Sequence, residues 1–167
     1  MKRFILFFIL LVSHCSLSAA AQPVIFKEYD IRGVVGEEFE IEDTYEMASA
    51  IATYFREKNP DLQTIALGAD GRVHSPMIRE QITKSLLTFG YDVIDIGTCT
   101  TPIMYISLHT LHVDAGLMIT ASHNPGEYNG IKICLGKELV MGDEVKKIRD
   151  IYLNKTFAEA SAQSGTY

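Results

Sequence analysis

The chain has 167 residues, 47% hydrophobic and 22% charged, which excludes wholesale disorder and suits one ordinary domain with an appendage. The 15 basic residues against 21 acidic ones give a formal net charge of −6, which argues against nucleic-acid affinity but not against a local cationic pocket. Three cysteines without a C-x-x-C pair exclude a zinc ribbon and a disulfide-dense scaffold, and no apolar run reaches the roughly 20 residues of a bilayer span.

Residues 1–21 read as a secretory signal. Lys2 and Arg3 precede an unbroken apolar run from Phe4 to Val12, and Ala19-Ala20-Ala21 supplies a small-residue cleavage site before Gln22. The alternative is a short anchor or an upstream stretch. A working leader predicts a secreted or periplasmic domain, and otherwise the expectation is cytoplasmic. After cleavage only Cys99 and Cys134 remain, and they can pair only if their Cα atoms lie within about 7 Å.

Asp43 with Glu46 three residues on forms a capping-box pattern, and Met47, Ile51, Tyr54 and Phe55 make one apolar face, so a helix is predicted that stops at Asn59-Pro60. Residues 64–67 read as a strand. Ser75-Pro76 opens a second helix with Ile78, Ile82, Leu86 and Phe89 on its buried stripe and Gly90 at its end. Residues 91–96 read as a strand closed by Gly97, and Thr101-Pro102 opens a helix running to Leu111. Residues 115–120 are apolar enough for a strand covered on both faces, and residues 131–135 give a fourth strand. Val145, Ile148, Ile151 and Tyr152 mark a last helix.

This alternation predicts a three-layer α/β/α domain over residues 22–154, with a mostly parallel, mixed, four-stranded central sheet. Residues 155–167 read as a polar tail or truncated linker, the stretch from Ala158 to Tyr167 being either a linker or a frayed end. In such a fold ligands collect at the carboxyl ends of strands, which singles out the loops after Leu67, Ile96 and Thr120.

The last of these loops runs Thr120-Ala121-Ser122-His123-Asn124-Pro125-Gly126-Glu127-Tyr128-Asn129-Gly130, followed by Ile131-Lys132. Ser122 offers a hydroxyl for nucleophilic attack, His123 an imidazole for proton transfer, and Lys132 a cation beside freed backbone N–H groups. The same residues also compose an ordinary surface turn, since Asn-Pro and Asn-Gly are turn dipeptides. Neither a G-x-S-x-G elbow nor a P-loop is present. Arg32 carries a fork suited to phosphate, or is a solvated residue beside Gly33. Asp70 and Arg72 read as a surface ion pair or as a brace for the site. His109 and His112 share a helix face but lack an obvious third ligand for a metal.

Four segments together resemble the first domain of the α-D-phosphohexomutases, in particular the phosphomannomutase/phosphoglucomutase branch. They are Phe26-Lys27-Glu28-Tyr29-Asp30-Ile31-Arg32-Gly33, Asp70-Gly71-Arg72, Thr120-Ala121-Ser122-His123-Asn124-Pro125, and Tyr128-Asn129-Gly130-Ile131-Lys132. The resemblance runs from Val24 to Tyr152. It implies that Ser122 is the phosphoserine that exchanges a phosphoryl group with a hexose phosphate, interconverting 1- and 6-phosphates. It implies acid–base or positioning work for His123, a cationic role for Lys132, and phosphate or substrate contacts from Tyr29, Arg32, Asn124 and Asn129, with Asp70 and Arg72 in support. It also implies Mg2+, held partly by the phosphate on Ser122.

Two departures stand beside the resemblance. Ala69 occupies a position where many relatives carry a charged residue. The chain also resembles only one of the family's four domains, with no D-x-D-x-D metal loop. The expectation is therefore the catalytic-serine domain of a phosphohexomutase, inactive alone and binding Mg2+ poorly, its missing domains following in a longer reading frame or supplied in trans. The alternative is a truncated or exported domain that binds phosphate or a partner without catalysis.

Overall fold

A computed structural model describes residues 21–167, so the leader expectation falls almost wholly outside the described part. The chain forms β1 (Ile31–Val34), α1 (Asp43–Lys58), β2 (Thr64–Ala69), α2 (Ser75–Thr88), β3 (Asp92–Thr98), α3 (Thr101–Thr110), β4 (Ala115–Ile119), β5 (Tyr128–Leu135), β6 (Glu138–Leu139) and α4 (Asp143–Asn154). The strand order is β1-β5-β4-β2-β3, with β6 beside β5. Only β5 runs against the others, so the sheet is mixed but mostly parallel, as expected.

Among the described residues the sheet has six strands rather than four. β1 and β6 are short and lack a strand's alternation, and pairing to β5 is what makes them strands. β5 starts at Tyr128, three residues before the predicted edge, because Asn129 and Gly130 pair with β1 instead of turning. A Cβ on Gly130 would lie 2.0 Å from the Ile31 carbonyl oxygen, so only glycine lets β1 approach.

α1, α2 and α4 cover one face, and α3 alone covers the other. Met47, Ile51, Phe55, Ile78, Ile82, Leu86, Ile148 and Tyr152 enter the main core with Ile65, Leu67, Leu117 and Ile133 of the sheet. Beneath α3 the core is small: Met104 and Leu108 meet Met118 and Cys134, with Cys99 at the margin. Cys99 and Cys134 are both free thiols. Burial raises the Cys134 thiol to about 11.

Local details differ from the sequence reading in instructive ways. Asp43 does not act as an N-cap: it sits inside α1, and its carboxylate accepts from the Glu40 N–H at 2.8 Å. Gly90 does end the second helix, at φ +86°, with the Leu86 and Leu87 carbonyls accepting from Tyr91 and Gly90. The tail is not frayed. Ala158 N–H donates to Thr53 Oγ1, Gly165 N–H to the Leu87 carbonyl, and the Thr166 carbonyl accepts from Val93 at the open edge of β3. Among the described residues no helix is long and apolar enough to cross a membrane.

Candidate active site

β2, β3 and β4 point their carboxyl ends at one cleft of about 670 Å³, bounded by Asp70, Thr98, Thr101, Ser122, His123 and Lys132. Parallel pairing brings these ends level: Ala69 lies beside Ile119 on one side and Thr98 on the other. Beyond β4 the pairing continues one residue, Thr120 N–H donating to the Gly130 carbonyl at 3.0 Å. The chain then turns outward at Ser122, whose φ of +56° lies in the left-handed region that a side chain disfavours. Ser122 N–H donates to Thr120 Oγ1 at 2.9 Å, and Asn124 N–H to the Ala121 carbonyl at 3.1 Å. The result is an exposed serine side chain at a strand end, held in a conformation it would not choose unaided.

Arg72 provides much of what holds it. Its Nε donates to Asp70 Oδ2 at 3.0 Å. Nη1 donates to the Pro125 and Tyr128 carbonyls, and Nη2 to those of Ser122 at 3.1 Å and Asn124 at 2.7 Å. A guanidinium has five N–H donors, so every one is engaged and none is left for a ligand. Asp70 is itself fixed: its Oδ1 accepts from Ser75 Oγ at 2.9 Å, and Ser75 Oγ accepts from Asn129 Nδ2 at 3.1 Å. Asp70 and Arg72 form an ion pair, and Arg72 also ties together the carbonyls of the serine loop.

The cations come from the paired strands β1 and β5. Lys132 lies opposite Met118 of β4 and reaches the cleft, donating to Asp30 Oδ2 at 2.9 Å. Arg32 lies opposite Gly130 and donates from Nη1 to Asn124 Oδ1 at 3.2 Å, so it abuts the serine loop.

The site expectations divide accordingly. Ser122, His123, Lys132 and Asp70 line one cleft, and Arg32 and Asn124 join beside it. Tyr29 is not brought in: it sits at the tip of the 26–31 turn, 52% exposed and outside the cleft lining. Asn129, expected to contact substrate, is fully buried; its amide serves Ser75 and its own strand, so it can act only through the Asp70–Arg72 brace. Ala69, where a charged relative was expected, is buried at the end of β2, and its carbonyl accepts from Cys99. Sequence reasoning missed Asp30 as the partner of Lys132, Ser75 as a link in the brace, and the stretch from Thr98 to Pro102 as a cleft wall. Asp30 left no signal in the sequence: the β1–β5 register extended by one residue sets it opposite Lys132, and β1 itself carries no strand pattern.

The implied Mg2+ finds little here. The nearby carboxylates of Asp30 and Asp70 both face cations, and among the described residues no three His, Cys, Asp or Glu side chains form a metal-binding group. Mg2+ favours a carboxylate or two beside phosphate oxygens. The described residues therefore do not fit a free-standing Mg2+ site. His109 and His112 line a separate hollow with Asp61 and Asp114, away from the Ser122 cleft.

A mixed α/β/α sheet places an exposed left-handed serine at a strand end, with cations on the adjoining strands and a braced loop, an arrangement that can set one hydroxyl beside an anion. Residues 23–159 match the family model described as phosphoglucomutase/phosphomannomutase, alpha/beta/alpha domain I, and the chain belongs to that family as its first domain. It is 38% identical over 139 residues to a phosphoglucomutase of Neisseria meningitidis, covering 83% of this chain and 30% of the relative. It is 37% identical over 131 residues to a phosphomannomutase/phosphoglucomutase of Pseudomonas putida, covering 78% and 28%. A solved phosphoglucomutase/phosphomannomutase family protein from Burkholderia thailandensis superposes with a TM-score of 0.79 at 28% identity, over 88% of this chain and 33% of that one. The chain thus spans about a third of the length of these relatives.

Proposed function

We propose that this is the catalytic-serine domain of a hexose-phosphate mutase, with Ser122 as the residue that carries the transferable phosphoryl group. The observation that supports this most is the position of Ser122: exposed, left-handed, at the carboxyl end of β4, in a cleft shared with His123 and Lys132. In the donating half-reaction the Ser122 Oγ–P bond breaks as a substrate hydroxyl oxygen bonds to phosphorus. The hydroxyl proton passes to a base, for which His123 is the candidate, and Oγ is left to be rephosphorylated by the resulting bisphosphate. Lys132 and Arg32 offset charge on the transferring group. Arg72 and Asp70 keep the serine loop in register and touch no substrate.

Isolated, the domain is a weak anion site. One charge-assisted contact contributes about 1.5–3 kcal/mol, whereas millimolar affinity already needs about 4 kcal/mol. Turnover therefore depends on groups supplied by other domains, and any Mg2+ contribution rests on phosphate oxygens at Ser122 rather than on this domain's carboxylates.

The test has two parts. Incubation with a hexose 1,6-bisphosphate followed by peptide mapping should place one phosphoryl group on Ser122 and none in Ser122→Ala; a phosphate mapped elsewhere refutes the assignment. Phosphorus NMR with a hexose 1-phosphate, a trace of the bisphosphate and Mg2+ should show no sustained formation of the 6-phosphate. Turnover above the Ser122→Ala control would show that one domain suffices.

A further inference from the structure

Asp30 is the most enclosed charge at the site, at 3% exposure, beside Lys132 at 14% and Arg32 at 29%. Its backbone is fixed by a tight turn, Lys27 N–H donating to the Asp30 carbonyl at 2.8 Å, and by β1, which starts at the next residue. The two carboxylate oxygens are treated very differently. Oδ2 accepts from Lys132 Nζ at 2.9 Å. Oδ1 is enclosed, has no hydrogen-bond partner, and faces Arg32 Nε across 3.8 Å. A buried carboxylate oxygen without a donor is costly. The group placed to relieve it is a guanidinium whose other tie is the 3.2 Å bond to Asn124.

We propose that Asp30 is a positioning residue that anchors Lys132 and shares Arg32 with an incoming phosphate. The inference rests on the reading of Ser122 as the phosphoryl carrier. Without a dianion in the cleft, Asp30 offsets two cations that would otherwise repel each other across paired strands. When phosphate enters, Arg32 leaves Oδ1 and turns to it, because its contacts are long and its side chain is the more exposed. Lys132 stays, held by the short contact. Asp30 thereby keeps phosphate from being bound as firmly as two free cations would bind it. Such restraint suits a group that must be given away each turnover, since ground-state binding alone does not speed transfer.

The test uses the full chain with and without Asp30→Asn, a change that keeps size and removes charge. Ammonium-selective proton–nitrogen NMR, with Lys132→Arg identifying the signal, reads the anchoring. Titration with inorganic phosphate, followed at Arg32 Nε and Lys132 Nζ, reads the sharing. Asp30→Asn should lose the Lys132 ammonium signal to exchange and should tighten the phosphate Kd at Arg32 by about ten-fold, the order expected on removing one nearby, partly screened charge. A surviving ammonium signal or an unchanged Kd overturns the proposal. If Asp30→Asn fails to fold, Asp30→Asn/Lys132→Met, which removes the buried pair together, is compared with Lys132→Met, and the same tightening at Arg32 is required. If phosphate moves neither signal in the unaltered chain, the phosphoryl reading of Ser122 falls and the sharing of Arg32 with it. The ammonium signal still decides the anchoring of Lys132 separately.

Discussion

Truncating Arg72 removes the brace while leaving Ser122, His123 and Lys132 in the sequence. The guanidinium makes four bonds to loop carbonyls and one to Asp70. Bonds to a charged donor contribute about 1.5–3 kcal/mol each when buried. Ser122 and Pro125 are exposed, so water replaces part of that loss, and Arg72→Ala should cost about 2–4 kcal/mol in total rather than the full sum. In a domain of this size 1 kcal/mol moves Tm by about 2–4 °C, which sets a fall of about 4–16 °C. Arg72→Lys should recover little, because a point charge cannot reach carbonyls on both sides of the loop. Thermal unfolding gives the global term, and amide exchange of Ser122, Asn124 and Tyr128 gives the local one. Where the loop opens before the domain unfolds, exchange accelerates more than Tm falls. An Arg72→Ala protein with unaltered Tm and unaltered exchange at those amides would refute the brace.

Ser122→Gly should be more stable than Ser122→Ala by about 0.5–1 kcal/mol in denaturant unfolding, since glycine accepts the left-handed φ of +56° without penalty; the reverse order contradicts the strain. Glu144 accepts from Lys147, Lys58 and Tyr54, which holds its carboxyl down at about 2 against an ordinary 4.5. A depressed carboxylate stabilises the fold above its unfolded pKa and loses that contribution as pH falls through the folded one, so stability should decline between pH 4.5 and about 2, and Glu144→Gln should flatten that decline. Expression with the native N-terminus in a bacterial host should give a protein starting at Gln22 by N-terminal sequencing, and a start at Met1 refutes the leader. Because Ala21 is buried and its N–H donates to Tyr152 Oη at 3.1 Å, the cleaved form should also be slightly less stable than one retaining Ala21.

The helices and the parallel strands were legible because burial imprints a period on the residues themselves. Met47, Ile51 and Phe55, or Ile78, Ile82 and Leu86, announce a helix face wherever they later pack. β1 has no such imprint. Ile31-Arg32-Gly33-Val34 becomes a strand because β5 offers it a ladder, and β5 offers it because Gly130 has no side chain there. The Asn-Gly pair that signals a turn in isolation is overridden by that pairing. The docking of the tail was illegible for a related reason. Its residues are small and polar, yet the open edge of β3 supplies partners for its backbone, and composition says nothing of an available edge.

The same distinction separates the parts of the site. Ser122 and His123 stand on one short loop, so their types and order carry the signal. Their geometry is enforced from far along the chain: Arg72 reaches Ser122 across 50 positions, Arg32 reaches Asn124 across 92, and Lys132 reaches Asp30 across 102. Most of Arg72's partners are backbone carbonyls, which every residue possesses and no sequence pattern distinguishes. Ser75 shows the ambiguity at a single residue. A serine before a proline at a helix start reads as a cap, yet its hydroxyl donates to Asp70 and accepts from Asn129. The exposed hydroxyl is thus encoded by identity and its restraint by topology. It follows that Ser122 can be tested by deleting one hydroxyl, whereas the hold of Arg72 on the serine loop and of Asp30 on Lys132 is tested by changes made 50 or more positions away from the residues held.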